Sequence, residues 1–163
     1  MTSQLELYQQ VILEHNRKPK NFGKPKDWTH QAEGFNPLCG DHLWVYCEID
    51  KKKDIISKVF FEGTGCAICK ASASMMTASL TGLSRQKALE LFENFHHLLQ
   101  KKIDSTEKKE KLGKLMIFAN IWKFPLRVKC ASLAWHTFQG ALEQRKNPVS
   151  TEKKEEEDSH AEI

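Results

Sequence analysis

Alternation between apolar and polar side chains predicts two β-strands in the first half of the chain. The residues that share the apolar face of the first strand are Leu43, Val45, Cys47 and Ile49. A polar turn at 51–54 separates this segment from a second apolar segment at 55–62. A period of two is typical of a strand with one buried face, and so short a connection favours an antiparallel hairpin.

Helical periodicity occurs on both sides of this hairpin. Ser3 and Glu6 have the spacing of a capping box, which predicts the start of a first helix. Small residues at 66–81 predict a second helix, Ser84 caps a third helix with a regular apolar stripe, and Pro125 opens the last helix. The order of helix, strands and helices predicts an α+β domain with a small antiparallel β-sheet covered by helices.

The remaining segments are predicted from their composition. Two prolines and a glycine at 17–27 indicate an extended arm, charged residues at 100–111 indicate a loop, and 112–122 indicates a short apolar helix or turn. The C-terminal stretch lacks the apolar residues that packing requires. We therefore predict one domain at 1–145 and a disordered charged tail at 146–163.

Length and composition narrow the class of protein. At 163 residues the chain fits one domain, and no apolar run approaches the ~18 residues that a membrane helix needs. The polar N-terminus lacks a secretory signal, so we expect a cytoplasmic protein without membrane contacts.

The charge of the chain is unevenly distributed. Residues 146–163 have a net charge of −3, which leaves +7 on residues 1–145. Because the lysines of this basic body are scattered and do not alternate with aromatic residues, we expect no nucleic acid partner. A basic surface does favour acidic protein partners.

Five cysteines in a chain without an export signal indicate metal or thiol chemistry rather than a disulfide framework. Cys39 follows turn-forming residues just before a strand, and Asp41 can bring its carboxylate to the same point. Cys66 lies at the start of a predicted helix, where free N–H groups and the helix dipole favour a thiolate. Cys130 lies in the first turns of the last helix beside Arg127, and a nearby cation lowers the pKa of a thiol.

Three thiolates and one carboxylate suit a tetrahedral zinc site or an iron–sulfur site. Spacing alone does not show that these residues converge, because they come from three distant segments. Cys47 lies in the middle of a strand on its apolar face and is predicted to be core. Cys66-x-x-Cys69 is a weak motif for half a zinc site or a redox pair, and a small buried Cys69 is the alternative. His42 and His136 are predicted to be structural.

Five segments of the chain carry motifs of one protein family. They are LYQQVILEH (7–15), PKNFG (19–23), NPLCGD (36–41), GTGCAI (63–68) continued by ASASMM (71–76), and FPLRVKCA (124–131). In order and over roughly residues 5–143, these segments resemble the U-type iron–sulfur cluster assembly family, which includes SufU, IscU and the N-terminal domain of NifU.

Two features resemble the SufU branch in particular. The IscU branch carries a His immediately before its third cysteine, where this chain has Lys129. The charged stretch around Lys101–Gly113 resembles the insertion of the SufU branch. The resemblance implies a sulfurtransferase-like acceptor of persulfide sulfur from a PLP-dependent cysteine desulfurase similar to SufS, and downstream iron–sulfur assembly proteins as further partners. It also implies a zinc ion bound by Cys39, Asp41, Cys66 and Cys130.

The alternative within the resemblance is a scaffold that holds iron or a transient iron–sulfur cluster on the same residues, and a purely structural zinc module is a third class. Cys69 departs from the family pattern, in which no thiol is expected at that place. Persulfide transfer needs a thiolate nucleophile, and Cys39 moves most easily because it lies in a loop between a proline and a glycine. We therefore predict Cys39 as the acceptor, Cys130 as the second choice, and Arg127 as the charge that offsets the thiolates.

Overall fold

The computed structural model describes residues 3–152 and consists of a four-stranded sheet packed against helices. The strands are β1 (His30–Asn36), β2 (Asp41–Asp50), β3 (Ile55–Thr64) and β4 (Val149–Ser150). The helices are α1 (Gln4–Arg17), α2 (Ala67–Leu80), α3 (Arg85–Leu99), α4 (Thr106–Leu112) and α5 (Pro125–Leu142), with 3₁₀ helices at Gly113–Phe118 and Ile121–Lys123. Within residues 3–152, none of the helices has the length and hydropathy to cross a bilayer.

The sheet has the strand order β3-β2-β1-β4, and its three long strands are antiparallel to one another. The α+β class and the predicted hairpin are therefore confirmed. Two strands were not apparent in the sequence, and one of them, β4, pairs with β1 in parallel and makes the sheet mixed. The pattern of β1 is weak because its buried positions are small or polar, namely His30, Ala32, Gly34 and Asn36.

Helices α2 and α5 pack against one face of the sheet and against each other. Leu43, Val45 and Cys47 of β2 are at most 1% exposed and belong to this core, as the alternation predicts. The approach of α5 to β1 is close, because a Cβ at Gly34 would lie 1.9 Å from Thr137 Oγ1. A glycine at position 34 therefore lets the middle of α5 rest directly on β1.

Hydroxyl caps set the helix starts that the sequence predicts. Ser3 Oγ accepts from the N–H of Glu6 at 3.1 Å, and Ser84 Oγ accepts from the N–H of Lys87 at 3.1 Å. The predicted loop at 100–111 is wrong in its second half, where α4 forms. Ser105 caps this helix, and its single buried side chain, Leu112, anchors it against the rest of the fold.

The predicted domain boundary at residue 145 stays a prediction, and the short strand β4 lies just beyond it. Val149 is 8% exposed and its side chain lies against α5, where a Cβ at Gly140 would come within 2.7 Å of Val149 Cγ2. A single buried valine between charged residues is too weak a signal to distinguish a short strand from a disordered tail. The part of the predicted tail at 153–163 lies outside the described residues.

Two truncated chains, one ending at Glu152 and one ending at Arg145, isolate the contribution of the segment that contains β4. Because the shorter chain leaves out the burial of Val149, we expect its free energy of unfolding to be about 1.5–3 kcal/mol lower than that of the longer chain. Urea denaturation of the two chains measures this difference. Equal stabilities would contradict the place of β4 in the sheet.

A second stability prediction concerns Cys47, whose side chain is 1% exposed. Cys47→Ser and Cys47→Ala leave side chains of nearly equal size, so the difference between them reports the buried hydroxyl. We expect the serine variant to be less stable than the alanine variant by about 1–3 kcal/mol in urea denaturation. Equal stability of the two variants would show that the hydroxyl finds a hydrogen-bond partner in the core.

Candidate metal centre

The turn between β1 and β2 carries the first two candidate ligands. Asn36 and Asp41 pair across the strand ends, and the N–H of Gly40 donates to the carbonyl of Asn36 at 2.8 Å. Gly40 has φ of +73°, a left-handed conformation that glycine adopts without strain. The tight turn leaves Cys39 exposed and places Asp41, fully buried, at the first position of β2.

Cys66 is the N-cap residue of α2. Its Sγ accepts a hydrogen bond from the N–H of Cys69 at 3.4 Å, and its own N–H donates to Asp41 Oδ1 at 2.8 Å. The start of α2 is thereby tied to the buried carboxylate. A Cβ at Gly65 would lie 3.1 Å from both Asp41 Oδ1 and Cys69 Sγ, so a side chain at this position would crowd the cluster.

Cys130 enters the cluster from the second turn of α5. Its side chain is buried, and its Sγ lies 3.2 Å from the Sγ of Cys39. One ligand atom from each of Cys39, Asp41 and Cys130 lies within 4.8 Å of the others. Cys66 adjoins this trio through its backbone N–H, which donates to Asp41 Oδ1 at 2.8 Å. The structure therefore groups the ligand atoms of three of the four predicted residues, and Cys66 lies beside them. The role of all four as ligands stays a prediction.

The thiols of this cluster differ in how readily they ionise. The interaction with the neighbouring thiol of Cys130 lowers the pKa of Cys66 to about 7, and the same interaction raises the pKa of Cys130. Burial raises the pKa of Cys69, and the nearby Asp41 carboxylate adds to this effect. Cys66 is consequently poised to ionise near neutral pH, whereas Cys69 stays a neutral thiol.

The surroundings of Asp41 fit a bound cation. The carboxylate is fully buried and accepts hydrogen bonds from two neutral donors, the Asn36 amide at 3.2 Å and the Cys66 N–H. Within residues 3–152 no Lys or Arg forms an ion pair with it. A buried charge is costly unless an opposite charge compensates it. Cysteine sulfurs and a carboxylate are donors that zinc and iron both accept, so a metal ion at this place would supply the missing charge.

Three other candidates from the sequence lie outside the cluster. Burial raises the pKa of Cys47 to about 12, and its predicted place in the core is confirmed. His42 lies on the polar face of β2 and pairs with Glu33 at 2.5 Å. Arg127 is exposed, with its guanidinium carbon 4.6 Å from the ring centroid of Phe124, so its predicted role toward a cofactor stays a prediction.

Cys69 and His136 have structural surroundings. Cys69 is fully buried in the core beneath the cluster, in accord with the interpretation as a small packed residue. His136 on α5 packs near Phe92 and His96 of α3, with ring centroids 5.3 and 5.6 Å apart respectively.

Two residues at the cluster were not found by sequence reasoning. Asn36, fully buried, donates from Nδ2 to Asp41 Oδ2 at 3.2 Å and to Cys130 Sγ at 3.6 Å. Thr151 Oγ1 donates to Asn36 Oδ1 at 3.0 Å. The place of Asn36 beside Cys39 and Asp41 in NPLCGD could have indicated a role at the cluster. An asparagine at this place is explained equally well as a turn-forming residue. Nothing in the sequence connects Thr151 with a residue 115 positions before it.

Three comparisons with known proteins bear on the family and the fold. Residues 7–143 match the family model described as the NifU-like N-terminal domain. The chain is 37% identical over 135 residues to the zinc-dependent sulfurtransferase SufU of Bacillus subtilis, covering 82% of this chain and 87% of that protein. It is 34% identical over 141 residues to the iron–sulfur cluster assembly scaffold protein IscU of Streptococcus pyogenes, covering 86% of each chain.

Solved structures show the same architecture. The crystal structure of a putative iron–sulfur cluster assembly scaffold protein for the SUF system from Fervidobacterium islandicum superposes with a TM-score of 0.75 at 34% identity, covering 82% of this chain and 94% of that chain. A NifU-like N-terminal domain from Brucella abortus gives the same TM-score at 18% identity, covering 87% of this chain and 96% of that one, which is evidence for the fold alone.

An α+β domain that gathers three cysteines and a buried aspartate between a hairpin turn and two helix starts is of the U-type iron–sulfur assembly class. The chain belongs to the family of the NifU-like N-terminal domain, as the match over residues 7–143 shows.

The variant Cys69→Ser tests whether the buried thiol of Cys69 binds the metal in addition to, or in place of, one of the four candidate ligands. Because Cys69 is enclosed in the core and stays neutral, we expect this variant to bind as much zinc as the wild-type chain in a titration with Zn²⁺, whereas Cys66→Ser binds less. Loss of zinc from Cys69→Ser would show that its thiol, and not the Asp41 carboxylate, completes the set of ligands.

Proposed function

We propose that this protein is a zinc-binding sulfur acceptor of iron–sulfur cluster assembly that takes persulfide sulfur from a PLP-dependent cysteine desulfurase onto Cys39. The observation that carries the proposal is the unequal setting of the cysteines. Cys39 is exposed on a four-residue turn. Cys130 is buried in α5, and Cys66, although exposed, is held as the N-cap of α2. A nucleophile that enters another protein's active site has to be accessible, and Cys39 meets this requirement with the least disturbance of packing.

The four residues that would hold the zinc are Cys39, Asp41, Cys66 and Cys130. Bound zinc keeps thiols deprotonated and shielded at neutral pH. Lys129, which occupies the position before the third cysteine, forms an ion pair with Glu152 and cannot act as a ligand while protonated. The carboxylate of Asp41 is therefore the natural fourth donor, and the name of the Bacillus subtilis relative supports zinc as the ion.

The proposed transfer exchanges one sulfur–sulfur bond for another. The thiolate of Cys39 attacks the outer sulfur of the donor's cysteine persulfide, and a bond forms between Cys39 Sγ and that sulfur. The sulfur–sulfur bond of the donor breaks at the same time, and the donor cysteine leaves as a thiolate. No external oxidant or reductant is required, because the transferred sulfur keeps its oxidation state.

The surface around Cys39 suits contact with a protein partner. Three large apolar side chains close to the cysteines in sequence are more than 45% exposed, namely Leu38, Phe124 and Leu126. A groove of about 1000 Å³ lies between α1 and the 3₁₀ helices, and Phe124 is one of its lining residues. Its cationic lining residues are Lys18, Lys20, Lys114, Lys123 and Arg127. An exposed apolar patch beside a basic groove favours a partner whose own surface is apolar and acidic, and we assign this surface to the desulfurase.

A scaffold for a transient iron–sulfur cluster is the second candidate. The observation in its favour is that the same donors, with two sulfurs 3.2 Å apart, suit iron as well as zinc. The name of the Streptococcus pyogenes relative supports this candidate. The exposed setting of Cys39 favours the sulfur acceptor, because such a protein has to present one sulfur to the active site of another protein.

Metal content and the site of the sulfur test the proposal together. The anaerobically purified protein should be colourless and hold about one zinc per chain, by the stoichiometry of one tetrahedral site. After a single turnover with desulfurase and cysteine, mass spectrometry should place the extra sulfur on the peptide that carries Cys39. Cys39→Ser should accept none, and Cys47→Ser, changed only in the core, should accept as much as the wild-type chain.

Two outcomes would contradict this account. Iron with visible charge-transfer absorption in the isolated protein would favour the scaffold. Persulfide on Cys130, with continued sulfur transfer to Cys39→Ser, would show that the exposed turn does not decide which cysteine reacts.

A further inference from the structure

The last described residues of the chain return to the cluster. β4 pairs with β1 at Gly34 and Phe35, immediately before the turn that carries Cys39. The N–H of Thr151 donates to the carbonyl of Phe35 at 3.2 Å, and its hydroxyl donates to Asn36 Oδ1 at 3.0 Å. Glu152 then forms an ion pair with Lys129, the residue before Cys130. The segment 149–152 therefore touches the β1 side and the α5 side of the cluster.

The Asn36 side chain connects this segment to the candidate ligands. Its Oδ1 accepts from the N–H of Leu38 at 3.3 Å and from Thr151 Oγ1 at 3.0 Å. Its Nδ2 donates to Asp41 Oδ2 at 3.2 Å and to Cys130 Sγ at 3.6 Å. Since a backbone N–H can only donate, the oxygen of the amide has to face Leu38 and the nitrogen has to face the carboxylate and the sulfur.

We propose that Thr151, at the end of β4, is a positioning residue of the metal centre that acts through the Asn36 amide on Asp41 and Cys130. The hydroxyl of Thr151 holds the amide oxygen, and the amide nitrogen in turn orients one carboxylate oxygen and one sulfur. This inference rests on the proposed function for the identity of the metal.

The same network distinguishes the cysteines from one another. Cys130 receives the N–H of Asn36, and Cys66 receives the N–H of Cys69. Within residues 3–152, Cys39 Sγ accepts no hydrogen bond from an N–H group and meets only the thiol of Cys130. Thr151 and Asn36 thus hold Asp41 and Cys130 in place and leave Cys39 as the sulfur that is free to move.

The experiment compares Thr151→Val, which keeps the shape of the side chain but removes the hydroxyl, with Thr151→Ser, which keeps the hydroxyl. Zinc affinity, measured by competition with a chromogenic chelator, should fall about tenfold in the valine variant. This is the lower end of the loss that is typical when a residue bonded directly to a metal ligand is changed, because Thr151 acts one step further out, through Asn36. The serine variant should restore the affinity. Cobalt(II)-loaded samples should show a changed sulfur-to-cobalt absorption for the valine variant alone.

The thermal stability of the metal-free proteins shows whether Thr151 positions the ligands or only stabilises the fold. We expect the two variants to unfold at nearly the same temperature without metal, because Asn36 Oδ1 keeps the hydrogen bond from the N–H of Leu38 in both. If Thr151→Val retains the affinity and the cobalt spectrum of the wild-type chain, the inference is wrong. A lower affinity that matches an equal loss of stability in the metal-free protein would also overturn it, because Thr151 would then act on the fold alone.

Failure of the proposed function has a different signature. In that case the wild-type chain itself would bind no zinc or accept no persulfide. A wild-type chain that does both, beside a valine variant that is unchanged, would leave the proposed function in place and remove only the role of Thr151.

Discussion

Burial of the Asp41 carboxylate is the constraint on which the rest of the centre depends. The side chain is fully buried at the first position of β2 and meets only neutral hydrogen-bond donors among the described residues. An ionised carboxylate in such a place is costly without a compensating charge. The three cysteine sulfurs beside it can also bind a metal, but they bring no positive charge to balance the carboxylate. A metal ion resolves both problems, because it neutralises the carboxylate and binds the thiolates.

The fold brings these donors together from three separate segments of the chain. The β1–β2 turn carries Cys39 and Asp41, the start of α2 carries Cys66, and α5 carries Cys130. Contact between β1 and α5 is as close as a glycine permits at position 34. Cys66 and Cys130 are thus held by packed helices, whereas Cys39 lies exposed on a turn. Anchored ligands beside one accessible cysteine suit a protein that exchanges an atom with a partner.

Much of this architecture could be predicted from periodicity and local chemistry. The strand at 43–49, the caps at Ser3 and Ser84 and the helix start at Pro125 follow from local patterns, and the structure confirms them. Strand β1 could not be predicted, because small and polar residues occupy its buried positions. Helix α4 is stabilised by the Ser105 cap and by one buried leucine. The sequence did not predict this helix, because charged residues surround these two signals.

The candidate ligands could be named from the sequence, but their geometry and the residues around them could not. The local setting of each cysteine distinguished Cys39, Cys66 and Cys130 from Cys47 in the core. Convergence of distant segments depends on tertiary packing, which no local pattern encodes, and only the family resemblance implied it. Thr151 and Asn36 are 115 positions apart in the sequence, so their contact could be found only from the structure.

X-ray absorption at the zinc edge tests the central claim most directly, because it counts the atoms bound to the metal. With Asp41 as a ligand, the spectrum should show three sulfurs at about 2.3 Å and one oxygen at about 2.0–2.2 Å. Four sulfurs and no oxygen would contradict the account, because a fourth cysteine would then replace the buried carboxylate on which it depends.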